Sequence, residues 1–174
     1  MALPAKLVIF AGLPGTGKST LARLVAERMD AVWLRVDTIE AALLKSGLKS
    51  SFETGLAAYI GVHDIAAEQL EAGRSVVIDA VNGVEPARAM WRELSEKFRV
   101  ARFTVQVTCS DPAEHRKRVE SRGEQTPPLP SPSWDEVARR EYLPWNEPVL
   151  SVDGLAPPEE NVRRILEYCE PTHR

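Results

Sequence analysis

Cysteine is scarce in this chain: Cys109 and Cys169 are the only two, each within a strand or helix pattern and without metal-ligand spacing. That speaks against a disulfide framework and a cysteine-held metal, and leaves two buried thiols. An apolar run of about 18 residues is also missing, so no membrane-spanning helix is expected. The apolar start, MALPAKLVIFAG, enters a glycine-rich turn at once. This leaves no room for a cleavable leader and points to the cytoplasm. Positive charge is not in surplus: 22 Lys and Arg against 25 Asp and Glu give a formal net charge of -3. General attraction to nucleic acid is therefore not expected, and only a local patch could supply it. No internal repeat is present. With 174 residues, 44% of them hydrophobic and 27% charged, the chain is expected to form one well-cored domain over residues 1–174.

What is present is the stretch GLPGTGKST, residues 12–20. Gly12, four residues, then Gly17, Lys18 and Ser19 reproduce the G-x-x-x-x-G-K-[ST] pattern after an apolar run that reads as a buried strand. The glycines let backbone N–H groups converge on one anion. Lys18 adds a point charge for the terminal phosphates, the Ser19 hydroxyl suits Mg²⁺, and the following helix aims its positive end at the same place. A dinucleotide-binding glycine pattern is disfavoured, because Lys18, Ser19 and Thr20 follow Gly17 and no third glycine appears.

Beyond that stretch, strand and helix patterns alternate about five times, which predicts an α/β fold with a mostly parallel sheet. Helical spacing predicts helices over 18–29 and 38–45, a loop over 46–54, and a helix whose face is Leu56, Tyr59, Ile60, His63, Ala67 and Leu70. Strands are expected at 31–36 and 74–80. A helix from Pro86 carries Ala87, Met90, Trp91, Leu94 and Phe98, followed by an alternating strand through Val107 that suggests a less covered face. A basic helix from Asp111 to about Arg122 leads into the proline-rich segment 123–133, a candidate lid. A helix over 134–142, a strand over 149–152 and a final helix through Cys169 complete the chain. No exposed apolar stripe is expected clear of this core.

Ligands of open parallel sheets gather beyond the C-terminal ends of the strands, where residues 12–20, Asp37 and Asp79 are all expected. Two carboxylates beside a nucleotide suit two jobs, accepting the proton of an attacking hydroxyl and holding Mg²⁺. Each has an ordinary alternative: Asp37 as a helix N-cap, Asp79 as a turn residue beside Asn82 and Gly83. Arg118 and Arg122 share a helix face and can converge on phosphate oxygens, with Arg116 to the side. Glu114 and Glu120 offer these arginines plain helix pairs instead. His115 is a weaker candidate. His63 is expected to line a core or pocket wall. Trp134, Tyr142 and Trp145 can stack on a ring or serve as core. Arg88 can reach an anionic substrate or remain solvated.

Taken together, GLPGTGKST, WLRVDTIE, SVVIDAVN, CSDPAEHRKRVESR, PSW and VDG resemble the P-loop kinase group over nearly the whole chain. Within it, the resemblance is to the small AAA-type ATP-binding kinase-like proteins similar to shikimate kinase, gluconate kinase, chloramphenicol phosphotransferase and polynucleotide 5′-kinase. It implies the P-loop NTPase three-layer sandwich, with a five-stranded parallel sheet in the order 2-3-1-4-5 and a helical lid at about residues 116–133. ATP is then expected on Gly12, Leu13, Pro14, Gly15, Thr16, Gly17, Lys18, Ser19 and Thr20, with Arg118 and Gly154 toward the adenine. Asp37 maps to the general base and Arg122 to the transferring phosphate. Shikimate kinases carry a second acid where Arg35 stands, so the remaining Mg²⁺ contact falls to Asp79, beside Ser19. Asp37, Asp79, Asn82, Arg88 and Arg116 are the candidates to face the acceptor. The expected activity is ATP- and Mg²⁺-dependent phosphorylation of a small-molecule hydroxyl. The alternatives are a polynucleotide 5′ end as acceptor, nucleotide hydrolysis, and nucleotide binding without turnover.

Overall fold

The computed structural model describes residues 4–121 and 129–170. Its centre is β1 (Lys6–Ala11), whose residues Leu7 to Ala11 are at most 2% exposed. Such a run, apolar on both faces, requires cover above and below the sheet. In chain order follow α1 (Lys18–Met29), β2 (Val32–Arg35), α2 (Val36–Lys45), α3 (Phe52–Glu71), β3 (Val76–Asp79) and α4 (Glu85–Phe98). The remainder is β4 (Ala101–Thr108), α5 (Pro112–Ser121), α6 (Trp134–Arg139), β5 (Leu150–Asp153) and α7 (Pro158–Tyr168). All strand pairs are parallel, and the order is β2-β3-β1-β4-β5, as the resemblance implies.

Helices cover both faces. On one, Val8, Phe10, Val77, Val105 and Val107 pack against Leu21 and Val25 of α1 and Val162 and Ile165 of α7. On the other, Leu7, Ile9, Val76 and Ile78 meet Ala58, Val62 and Leu70 of α3 and Trp91 and Leu94 of α4. Strand register then sets the chemistry: Phe10 and Arg35 both pair with Asp79, so the ends of three strands deliver Arg35 and Asp79 side by side.

Several sequence expectations are corrected. Strand β2 ends at Arg35, and Asp37 lies inside the first turn of α2 without capping it. Helix α3 starts at Phe52, within the expected loop, because Ser51 accepts a hydrogen bond from the Thr54 amide as its N-cap. Its buried face is Thr54, Ala58, Val62, Ala66 and Leu70, rather than the face through Leu56, Ile60 and His63. Size explains the choice. Three of the five inward residues, Thr54, Ala58 and Ala66, are small. Larger ones are left outside: Phe52 is 80% exposed, with Leu48, Leu56 and Ile60 beside it at four-residue spacing. An exposed apolar stripe therefore exists where none was expected. Helix α6 ends at Arg139, three residues early. The polar side of β4 is covered as well, since Thr104 is buried and Arg102 pairs with Glu147 at 2.7 Å.

Candidate functional site

The turn between β1 and α1 is built by backbone conformations that side chains resist. Gly15 has φ 83°, and a Cβ there would stand 2.7 Å from Val119 Cγ2. Helix α5 thus closes directly beneath the turn. From it His115, buried, places Nε2 2.8 Å from the Pro14 carbonyl oxygen. A carbonyl only accepts, so Nε2 carries the proton. Trp134 packs edge-on against the same imidazole at 5.1 Å, which gives that tryptophan a core task in place of ring stacking on a ligand. The Thr16 hydroxyl donates to the Leu13 carbonyl at 2.9 Å and tightens the turn.

Lys18 is buried, with Nζ 3.5 Å from Asp79 Oδ1. Arg35 Nε lies 3.4 Å from Asp79 Oδ2, and Arg35 Nη2 lies 3.9 Å from Asp37 Oδ2. Lysine, aspartate, arginine and aspartate therefore alternate across the strand ends. Asp79 Oδ2 is buried and has no hydrogen-bond partner among the described residues. Arg35 Nε, which faces it at 3.4 Å, also lacks a hydrogen bond among them, so the pair is ionic and the oxygen keeps unused hydrogen-bonding capacity for a donor or a cation.

Two cavities meet at Lys18. The first, about 290 Å³, is lined by Gly15, Gly17, Lys18, Ser19, Thr20 and Arg118, with Ser121 at its edge. Arg118 donates from Nη1 to the Gly154 carbonyl at 3.0 Å and from Nε to Glu114 at 3.3 Å. The second, about 310 Å³, is lined by Pro14, Lys18, Asp37, Glu40, Glu136 and Arg140, with apolar wall from Val81, Leu129, Pro130 and Pro132. Burial is the main reason the Glu40 carboxyl titrates above its usual range; the Asp37 charge adds to this, and Arg140 opposes it. Glu136 is shifted the other way by the hydrogen bonds of the capping box it forms with Ser133.

Gly154, just past β5, borders a neighbouring cavity of about 200 Å³ together with Gly17 and Arg118. Its amide donates to the Thr108 carbonyl at 2.8 Å, and a methyl group on it would lie 1.8 Å from the Thr16 carbonyl oxygen. Gly154→Ala is therefore expected to lower stability by about 1–3 kcal/mol, the usual penalty for overpacking. Urea unfolding checks this, and a midpoint equal to wild type would show that the two loops part freely.

The expected site residues separate into those at the cavities and those elsewhere. Residues of the stretch 12–20, Asp37, Asp79, Arg118 and Gly154 converge at the C-terminal edge of the sheet. Asn82 does not face a cavity: fully buried, it donates from Nδ2 to the Phe10 carbonyl and accepts at Oδ1 from Trp91 Nε1, both at 2.8 Å. Arg88 is buried too, donating to the carbonyls of Asn82, Gly83, Leu143 and Pro144, with its guanidinium 3.6 Å from the centroid of Trp145. That corrects both of its expected roles, since it meets neither an anion nor solvent. Arg116 is exposed and pairs with Glu120 at 2.7 Å. His63 stands 6.2 Å from the Trp91 ring, ring centre to ring centre, and contacts Asp64. Arg122 and most of the segment 123–133 lie outside the described residues. Sequence reasoning missed Glu40 and Arg140 as members of this neighbourhood and ranked His115 low. Only Glu40 had a usable signal, its place one helical turn after Asp37.

Comparison with known proteins adds to this geometry. A family model described as an AAA domain matches residues 7–144. A UPF0200 protein of Aeropyrum pernix is 37% identical over 110 residues, in a match that covers 53% of this chain and 57% of that relative. The chain thus matches little more than half of that relative's length. Among solved structures, the Mycobacterium tuberculosis APS kinase CysC in complex with AMPPNP and APS aligns with a TM-score of 0.75. The identity is 19%, with 98% of this chain and 100% of that one covered. A gluconokinase of Sinorhizobium meliloti aligns with a TM-score of 0.68 at 18% identity, covering 96% of this chain and 92% of its own. At such identities the likeness is one of fold, and the fold is that of P-loop kinases. No described helix is long and apolar enough to cross a membrane.

Proposed function

The chain belongs to the AAA domain family, and from that premise we propose that it transfers the γ-phosphoryl group of ATP to a hydroxyl of a small molecule. The observation that carries this reading is that Lys18 lies on the wall of both cavities. A donor phosphate held in the first cavity would meet an acceptor held in the second at that side chain.

In this mechanism the backbone N–H groups of residues 13 and 15–17 and the Lys18 ammonium hold the β- and γ-phosphates and stabilise the charge that spreads over the γ-phosphoryl oxygens. Asp37 accepts the proton of the acceptor hydroxyl as its oxygen forms a bond to the γ-phosphorus. The bond from that phosphorus to the β,γ-bridging oxygen breaks, and ADP leaves with the electron pair. Arg118, bridging to the Gly154 carbonyl, borders the nucleotide and fits the adenine side. Arg122 is proposed to steady the transferring group. The Ser19 hydroxyl and the orphaned Asp79 Oδ2 fit a magnesium ion, the first as a direct ligand and the second directly or through water. Bound there, Mg²⁺ supplies charge neutralisation between the phosphates.

Lys18→Ala is expected to lower ATP consumption in the presence of a panel of hydroxylated metabolites by about 10²–10³-fold, the usual effect of removing one transition-state donor. Nucleotide titration alongside the assay separates binding from turnover. A variant that matches the wild type in both measurements would overturn the reading.

A further inference from the structure

The second cavity also has a charge pattern that bears on what enters it, an inference that rests on the kinase reading above. Its described wall holds three carboxylates, Asp37, Glu40 and Glu136, against two cations, Lys18 and Arg140. Lys18 already faces Asp79 and, in the reading above, the phosphates. Glu136 is tied into the Ser133 capping box, so its carboxylate is committed locally. Asp37 and Glu40 remain, and neither carboxylate makes a hydrogen bond to another described residue.

The cations that sequence reasoning offered for an anionic acceptor are engaged elsewhere. Arg88 is buried and donates to four backbone carbonyls, and Arg116 is exposed and paired with Glu120; Arg35, from the strand end itself, is drawn between Asp79 and Asp37. Arg140 is the one described cation left near the acceptor end, and it faces the charges of Glu40 and Glu136. An acceptor carrying a carboxylate, sulfate or phosphate would bring its charge up to Asp37 and Glu40 beside the triphosphate itself. A positively charged acceptor meets the opposite field.

We infer that the acceptor is a hydroxylated amine, its alcohol presented to Asp37 and its ammonium group held by Glu40. The two side chains stand one turn apart on α2, a relation that separates Cβ atoms by about 5–6 Å. That spacing suits a hydroxyl and an ammonium on neighbouring or next-but-one carbons. The apolar wall of Val81, Leu129, Pro130 and Pro132 matches a carbon skeleton between them.

The test uses the full chain with γ-labelled ATP and a panel of amino alcohols and amino sugars, each paired with its neutral and acidic counterparts; glucosamine, glucose and gluconate form one such set. The amine members should be phosphorylated with kcat/KM at least tenfold above their counterparts. Glu40→Gln should raise KM for amines about tenfold with kcat nearly unchanged, and leave neutral acceptors unaffected. Glu40→Asp, which keeps the charge, should recover part of the loss. Preference for the acidic or neutral members overturns the amine assignment but leaves the kinase reading standing, as does a Glu40→Gln variant impaired equally on every acceptor. Transfer to no member of the panel, with ATP still bound, removes both.

Discussion

Asp37→Asn lowers phosphotransfer by about 10²–10⁴-fold while ATP affinity stays within about twofold of wild type, the range expected when a general base is lost. The substitution preserves shape and removes only the capacity to take a proton. Asp37 stands in the first turn of α2, partly exposed, 3.9 Å from Arg35 and free of hydrogen bonds to described side chains. Its carboxylate is therefore available to a hydroxyl in the second cavity. Asp79 is a poor substitute, because it is buried and its two oxygens already face Lys18 and Arg35. Initial rates with the best acceptor, measured beside nucleotide titrations, decide the matter. An unchanged rate would remove Asp37 from the chemistry and make Glu40 the remaining candidate base of that cavity.

Arg88→Ala lowers stability by about 3–5 kcal/mol, among the largest effects of a single substitution. Four carbonyl oxygens lose the guanidinium together, Gly83 keeping a second donor in the Leu143 amide, and the Trp145 ring loses the cation stacked on it. Each buried acceptor left unmade costs about 1–3 kcal/mol, reduced wherever water can enter. For a chain of this length the change corresponds to a drop in melting temperature of roughly 6–20 °C. Arg88→Lys should recover only a minor part, since an ammonium cannot match the planar fork that reaches Asn82 and Gly83 on one side and Leu143 and Pro144 on the other. A loss below about 1 kcal/mol in thermal or urea unfolding would show that the 143–144 segment is not held through this guanidinium.

These two residues mark where the sequence is readable and where it is not. The phosphate-binding turn is legible because its glycines, lysine and serine are contiguous and its conformation is dictated locally. Asp37 and Asp79 are legible as residues at strand ends, and parallel pairing carries them to one edge. Arg88 is not, because charge alone suggests an anion or solvent, whereas two of its partners are carbonyls 55 and 56 residues away. Asn82 misleads in the same way, its amide consumed by a strand carbonyl and an indole. The face of α3 is misread because apolar periodicity counts hydrophobicity, while three of the five residues that turn inward are small. Glu40 followed Asp37 at helical spacing, but that spacing also fits any exposed helix; the cavity gives it meaning.

The sheet separates two packed layers, and the candidate donor and acceptor groups are divided between them. Lys18 and Ser19 ride on α1, in the layer shared with α7, whereas Asp37 and Glu40 ride on α2, whose Val36, Ile39 and Leu43 belong with α3 and α4. Substitutions that reshape α2 and its supports can therefore accumulate without disturbing the packing under the phosphate turn. A lineage built this way can change what it modifies while inheriting its nucleotide chemistry intact, and a laboratory can exploit the same division by recombining one layer at a time.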